Sequence, residues 1–184
     1  TGSKLALITG SFLFIALLVI ANWILPYWLA SQEVLSVAQS FLQIRAIGFM
    51  VYAMTLCLVA YYVGTTKTST VMFATLITSL ANIVLDYVLI FGHFGMPSLE
   101  ANGAALATVI AEILGLGFLL LMTHRESKEL LPSIFRGKLN DWKPMLLLSL
   151  PITVQQVSAL ATWTLFFFMV EKTGGLALKV SNII

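Results

Sequence analysis

The chain has 184 residues, 59% of them hydrophobic and only 10% charged, with a mean hydropathy of +0.98. Soluble domains carry about 25% charged residues, and a soluble core of this size has no room for so much apolar surface. A net charge of +2 without a basic stripe argues against a nucleic-acid partner, and the single cysteine, Cys57, allows neither an internal disulfide nor a cysteine metal motif.

A helix needs about 20 apolar residues to cross the hydrocarbon core of a bilayer, and five segments reach that length. Backbone polar groups in lipid must be satisfied within the segment, which predicts helices rather than strands. The first span, 5–30, has no charge between Lys4 and Glu33, and is too long for a signal peptide. Trp23, Tyr27 and Trp28 near its end suit a membrane interface, and Pro26 predicts a kink. The second span, 35–64, contains one charge, Arg45, which can snorkel or pair with a carboxylate.

The third span, 68–92, contains one charge, Asp86. Thr75, Ser79, Asn82 and Asp86 recur at helical spacing, so they share one face. A charged side chain at the bilayer centre costs about 2.5–3.5 kcal/mol on insertion scales, so such a stripe should face a bundle interior or a wet cavity. Asn82 and Asp86 can offer oxygens to one cation, or the carboxyl can take a proton; the plainer alternative is a carboxyl that hydrogen-bonds a neighbouring helix. The fourth span, 102–123, carries Thr108 and Glu112 among the small residues Gly103, Ala104, Ala105, Ala107, Ala111, Gly115 and Gly117, which allow close helix approach. Glu112 reads equally as a proton or cation ligand and as glue to a polar group on another helix.

Residues 124–144 are polar and charged but include Leu130, Leu131, Ile134, Phe135, Leu139 and Trp142, as a linker partly lying on a membrane surface would. This is the longest polar break, and so the expected boundary between two helix bundles, 1–123 and 145–184. The fifth span, 145–170, opens with Leu150-Pro151. It carries Gln155, Gln156, Ser158 and Thr162 beside Trp163 and Phe166 to Phe168, which would suit a cavity for amphipathic organic cations or, equally, interhelical hydrogen bonds. A further helix would begin at about 176, and the chain stops inside that apolar run, as a piece of a longer protein would.

With five spans, Lys4, Lys67, Arg125, Lys128, Arg136, Lys138 and Lys143 fall on one side and only Lys172 and Lys179 on the other. The positive-inside rule makes the Lys4 side, with the 124–144 linker, cytoplasmic. The fold class expected is all-α, a polytopic helical membrane protein with five transmembrane helices and the start of a sixth. Gly-rich phosphate loops, paired-Asp motifs, HExxH and nucleophile triads are missing from the sequence, and His93 and His124 sit at helix ends, so no enzyme is expected.

Four short runs together resemble one family. Asn82-Ile83-Val84-Leu85-Asp86-Tyr87 with the Val-Leu-Ile-Phe-Gly that follows, Asn102 to Thr108 and onward, Gly64-Thr-Thr-Lys67-Thr, and Leu150-Pro151-Ile152 with Gln155-Gln156 occur in the order found in multidrug and toxic compound extrusion (MATE) transporters. The resemblance implies helices three to seven of a two-lobed set of twelve, with 124–144 joining the lobes. It implies an antiporter that exports organic cations and other toxic compounds in exchange for H⁺ or Na⁺. No other cofactor and no metal beyond Na⁺ at Asp86 is implied. A first-lobe cation site would use Asn82, Asp86 and Thr108, with Glu112 as an added carboxylate of unassigned role. The position of a membrane-embedded Glu found in the seventh helix of many members is Ala159 here, which shifts weight to the first lobe. Expected partners are a small organic substrate and membrane lipid, for a monomer in a bacterial inner membrane. The rivals are a lipid-linked glycan flippase, for which Arg45 is the one buried cation in view, a membrane-embedded enzyme, and a structural membrane subunit.

Overall fold

A computed structural model describes residues 2–28, 31–126 and 142–172, and among them there are helices and no strand. Five helices are long and apolar enough to cross a membrane. They are α1 (Gly2–Trp28), α2 (Gln32–Gly64), α3 (Thr68–Phe91), α4 (Glu100–Glu126) and α5 (Trp142–Lys172). Phe12, Tyr27, Leu147 and many other large apolar side chains stand exposed, as they do on a surface that faces lipid rather than water. The helix expected from about residue 176 and most of the 124–144 linker lie outside the described residues. The chain divides into two compact units, Thr1–Leu139 and Asn140–Ile184, and each is described by itself.

In the first unit α1 packs on α2, α2 on α4, and α4 on α3, while α2 and α3 barely touch. The α4 sequence explains its central place. Gly103, Ala107, Ala111, Gly115, Leu119 and Thr123 recur every fourth residue and are all buried. In lipid there is no hydrophobic drive between helices, so close packing along small residues carries the association. A Cβ on Gly103 would lie 2.6 Å from the Leu89 carbonyl oxygen, and one on Gly115 would collide with the Thr78 hydroxyl. At the far end of the three helices, Leu58, Tyr62, Ala74 and Leu119 form an apolar core.

Pro26 does not simply kink α1. It has no N–H to donate and its ring crowds the carbonyl four residues back, at Asn22. The helix widens into a π turn over Ile20–Ile24, in which the Leu25 N–H donates to the Ile20 carbonyl. That register would pair the Ala21 carbonyl with residue 26, which is proline. The Gln39 amide of α2 donates to Ala21 instead, at 3.0 Å, and the Gln43 amide donates to the Asn22 side chain at 3.0 Å. A buried carbonyl left unpaired in lipid costs several kcal/mol, so Gln39 repairs what the proline breaks, and Gln43 ties the same stretch to α2 through a side chain.

The turn after α3 needs glycine. Gly92 takes φ 73°, and a Cβ there would meet the Ser98 backbone nitrogen at 2.7 Å. In the second unit α5 carries Pro151 in its interior, and every side chain described before Val170 is exposed. The Ser149 and Thr153 hydroxyls flank the proline and donate to the Leu146 and Ser149 carbonyls at 3.0 and 2.9 Å.

Candidate functional site

The gap between α2 and α3, floored by α4, forms a cavity of about 370 Å³. Its polar lining comes from Tyr52 and Thr55 of α2, Thr75, Thr78, Ser79 and Asn82 of α3, and Thr108 and Glu112 of α4. Small residues on α4, Ala111 and Gly115, leave the space. Ligand sites are typically concave, mostly apolar and carry a few convergent polar groups, and this one has that character.

Three of the four expected cation ligands, Asn82, Thr108 and Glu112, line this cavity. Asp86 does not. One turn beyond Asn82, α3 closes on α4 where Gly103 meets the Leu89 and Ile90 backbone, and the open space ends there. Asp86 Oδ1 is nevertheless buried with no hydrogen-bond partner among the described residues, and so are Asn82 Nδ2 and Glu112 Oε2. Asn102 Oδ1, near the start of α4, shares that state. Buried polar atoms are normally paired, because leaving one unpaired costs about 1–3 kcal/mol. Asn82 and Glu112 lie near the middle of their helices, and Asp86 and Asn102 lie toward the end away from the α2–α3 turn.

The hydroxyls add acceptors. Thr75, Thr78 and Thr108 each donate to the carbonyl four residues back, at 3.0, 3.0 and 2.8 Å. Each proton is therefore spent on its own helix, and the oxygen lone pairs remain as acceptors for a cation or a ligand donor.

Glu112 is half of an ion pair. Arg45 Nη1 and Nη2 both donate to Glu112 Oε1 at 3.3 Å. The pairing follows from the topology. Arg45 and Glu112 stand at nearly equal distances from the starts of α2 and α4, Gln32 and Glu100. The pairs Arg45–Glu112 and Tyr62–Thr123 run in the same order along both helices, so α2 and α4 are parallel. Gly48, one turn on from Arg45, opens room for the carboxylate: a Cβ there would lie 2.8 Å from Glu112 Oε2. Arg45 also sits over the Phe49 ring, 5.7 Å from its centroid.

At the other end of these helices Tyr62, Thr123, Lys67 and Glu126 are all paired. The Thr123 hydroxyl donates to the Leu119 carbonyl at 2.8 Å, so the Tyr62 hydroxyl donates to Thr123 across 3.1 Å. Lys67, in the turn between α2 and α3, donates to Glu126 at 2.8 Å and ties that turn to the end of α4. The Glu126 carboxylate hydrogen-bonded to it keeps the Lys67 ammonium charged to a higher pH than an ordinary lysine.

Tyr52, Thr55 and Thr78 were not singled out in the sequence. Thr78 could have been, since it sits three residues after Thr75 and four before Asn82 on the same stripe. Gln155, Gln156, Ser158 and Thr162 all stand exposed on α5, with the Ser158 and Thr162 hydroxyls donating to the Val154 and Ser158 carbonyls at 2.8 Å.

Residues 1–88 match the MatE family model. The chain is similar to proteins named probable multidrug resistance protein NorM. That of Bacillus cereus is 35% identical over 66% of this chain and 28% of its own length. That of Thermotoga maritima is 32% identical over 67% and 27%, and that of Rhizobium meliloti 28% identical over 82% and 33%. The chain thus spans between about a quarter and a third of the length of these relatives. No solved structure matches the chain. By the MatE match and these relatives, the chain belongs to the MatE family of polytopic membrane transporters.

Proposed function

We propose that the chain forms part of a secondary antiporter that exports organic cations and drugs in exchange for H⁺ or Na⁺ by alternating access. The observation that carries this is the α2–α3–α4 cavity with its buried, unpartnered polar atoms on α3 and α4. Asn82, Asp86 and Thr108 hold the coupling cation: a carboxylate, an amide and a hydroxyl whose proton is spent elsewhere supply hard oxygens for Na⁺ or a site for a proton. Cation binding biases the lobe toward outward release, which works only if the two lobe states differ in cation affinity. Gln155, Gln156, Ser158 and Thr162 on α5 would give a second lobe polar groups for the substrate. The Lys4 and 124–144 side faces the cytoplasm of a bacterial inner membrane, and the protein acts as a monomer. NorM relatives bearing multidrug resistance names favour this over a lipid-linked glycan flippase.

The test is dye export by the protein at its full natural length in proteoliposomes, under imposed H⁺ and Na⁺ gradients separately. Asp86→Asn keeps the side-chain volume and removes the charge, and should abolish gradient-driven export while the protein still inserts. Export that persists in this variant overturns the coupling site.

A further inference from the structure

We propose that the α2–α3–α4 cavity selects its ligand by N–H donors, so that a protonated amine binds better than a quaternary ammonium of the same charge. The inference rests on the transport function proposed above and names the substrate feature that its cavity reads. Four threonines from three helices line the cavity: Thr55 of α2, Thr75 and Thr78 of α3, and Thr108 of α4. Each spends its hydroxyl proton on the carbonyl four residues back, which for Thr55 is that of Val51, at 3.0 Å. A hydroxyl whose proton is committed can only accept, so the α2 and α3 walls and the α4 floor all offer acceptors.

The parts needed for other modes of cation recognition are missing from the lining. Recognition by charge alone needs a free carboxylate. Glu112 is the one acidic residue in the lining, but Arg45 takes its Oε1, and its Oε2 is enclosed where Gly48 of α2 leaves room. A quaternary ammonium has no N–H and is held by a cage of aromatic faces, whereas Tyr52 is the single aromatic side chain among the described residues lining the cavity. The Tyr52 and Ser79 hydroxyls and the Asn82 amide can each donate or accept, so they do not change the balance. No lysine or arginine among the described residues lines the cavity to repel a cation. What the lining offers most is oxygen without a proton. A site built around such groups rejects the analogue that lacks the matching donor more strongly than one that differs only in apolar shape, because its acceptors are then left unmet. Thr55 and Thr75 are thus specificity-determining residues.

The test compares phenethylammonium with its N,N,N-trimethyl analogue, which carries the same charge and no N–H. Their affinities are measured on the protein at its full natural length in lipid nanodiscs, and the readout is the ratio of the two. Parent protein should favour the primary amine about tenfold. Thr55→Val with Thr75→Val keeps nearly the same shape on both walls and removes two acceptors, and should lower the ratio about fivefold. Steric exclusion of the methyl groups would survive that change, so a parent-like ratio in the valine variant overturns the proposal. A parent that favours the quaternary probe, or binds neither probe, overturns it too. Thr55→Ser with Thr75→Ser keeps both oxygens and should keep the parent ratio; a fall as large as that of the valine variant counts against the proposal. Should the double valine variant fail to insert, each single valine variant is read by the same ratio. Dye export on the same variants is scored separately. A lowered ratio in a protein whose parent exports no dye supports donor recognition and removes the transport function. An unchanged ratio in an exporting protein does the reverse.

Discussion

The two ends of the α2–α3–α4 bundle differ in how their polar groups are satisfied. At the end where α2 turns into α3, Tyr62, Thr123, Lys67 and Glu126 are all paired, around an apolar core of Leu58, Ala74 and Leu119. Toward the other end, Asn82, Asp86, Asn102 and Glu112 each bury an atom with no hydrogen-bond partner among the described residues. The same helices therefore carry two kinds of sequence. One end is built to hold, and the other carries polar groups that cost stability.

The largest effect that would break this contrast lies at the ion pair. Arg45→Ala or Glu112→Ala alone strands a mostly buried charge, and should cost about 3–5 kcal/mol in a denaturant titration of the membrane-inserted protein. Replacing both with apolar residues of similar volume, R45M with E112L, should recover most of that loss. If neither single substitution is felt, the pair is solvated and the cavity end is not buried as described. Next in size is Gly103→Ala, whose Cβ must push aside the Leu89 and Ile90 backbone, at a cost of about 1–3 kcal/mol in the same titration. It should separate α3 from α4 near Asp86, so loss of cation response beyond the loss of stability would sharpen the link between closure and the site.

Tyr62→Phe probes the paired end. It removes one buried hydrogen bond while Thr123 keeps its own to Leu119, and should cost about 0.5–1.5 kcal/mol with no change in ligand binding. The smallest effect belongs to Lys67→Ala, because the exposed pair with Glu126 is screened by water and salt. Lys67 titrates higher in the folded protein than an ordinary lysine. Its contribution is therefore full below the ordinary lysine range and is lost as pH rises through the raised value. Parent and variant stabilities should converge at high pH and at high salt.

Much of this was legible in the sequence because lipid imposes simple constraints. The five spans follow from apolar length alone, and the polar face of α3 follows from helical spacing, which placed Thr75, Ser79 and Asn82 together. What spacing cannot supply is which helices become neighbours. That α4 sits between α2 and α3 is a tertiary fact, and three outcomes hang on it. Asp86 shares the stripe yet lies beyond the cavity, because Gly103 lets α4 close on Leu89. Arg45 finds Glu112 because α2 and α4 run parallel with matched starts. Pro26 was readable as a disruption of α1, but its repair by Gln39 needed the partner helix.

The most direct test of whether the unpaired end serves a cation is the melting temperature of the solubilised protein, at full natural length, as Na⁺ and then pH are titrated. A ligand that binds only the folded state raises that temperature with its concentration. The parent should gain stability with one of the two cations. Asp86→Asn should start as stable as the parent, or more so, and show no rise with either. An Asp86→Asn protein that responds to cations as the parent does, or that is destabilised equally at every cation concentration, would show that the carboxyl serves the fold and not a bound ion.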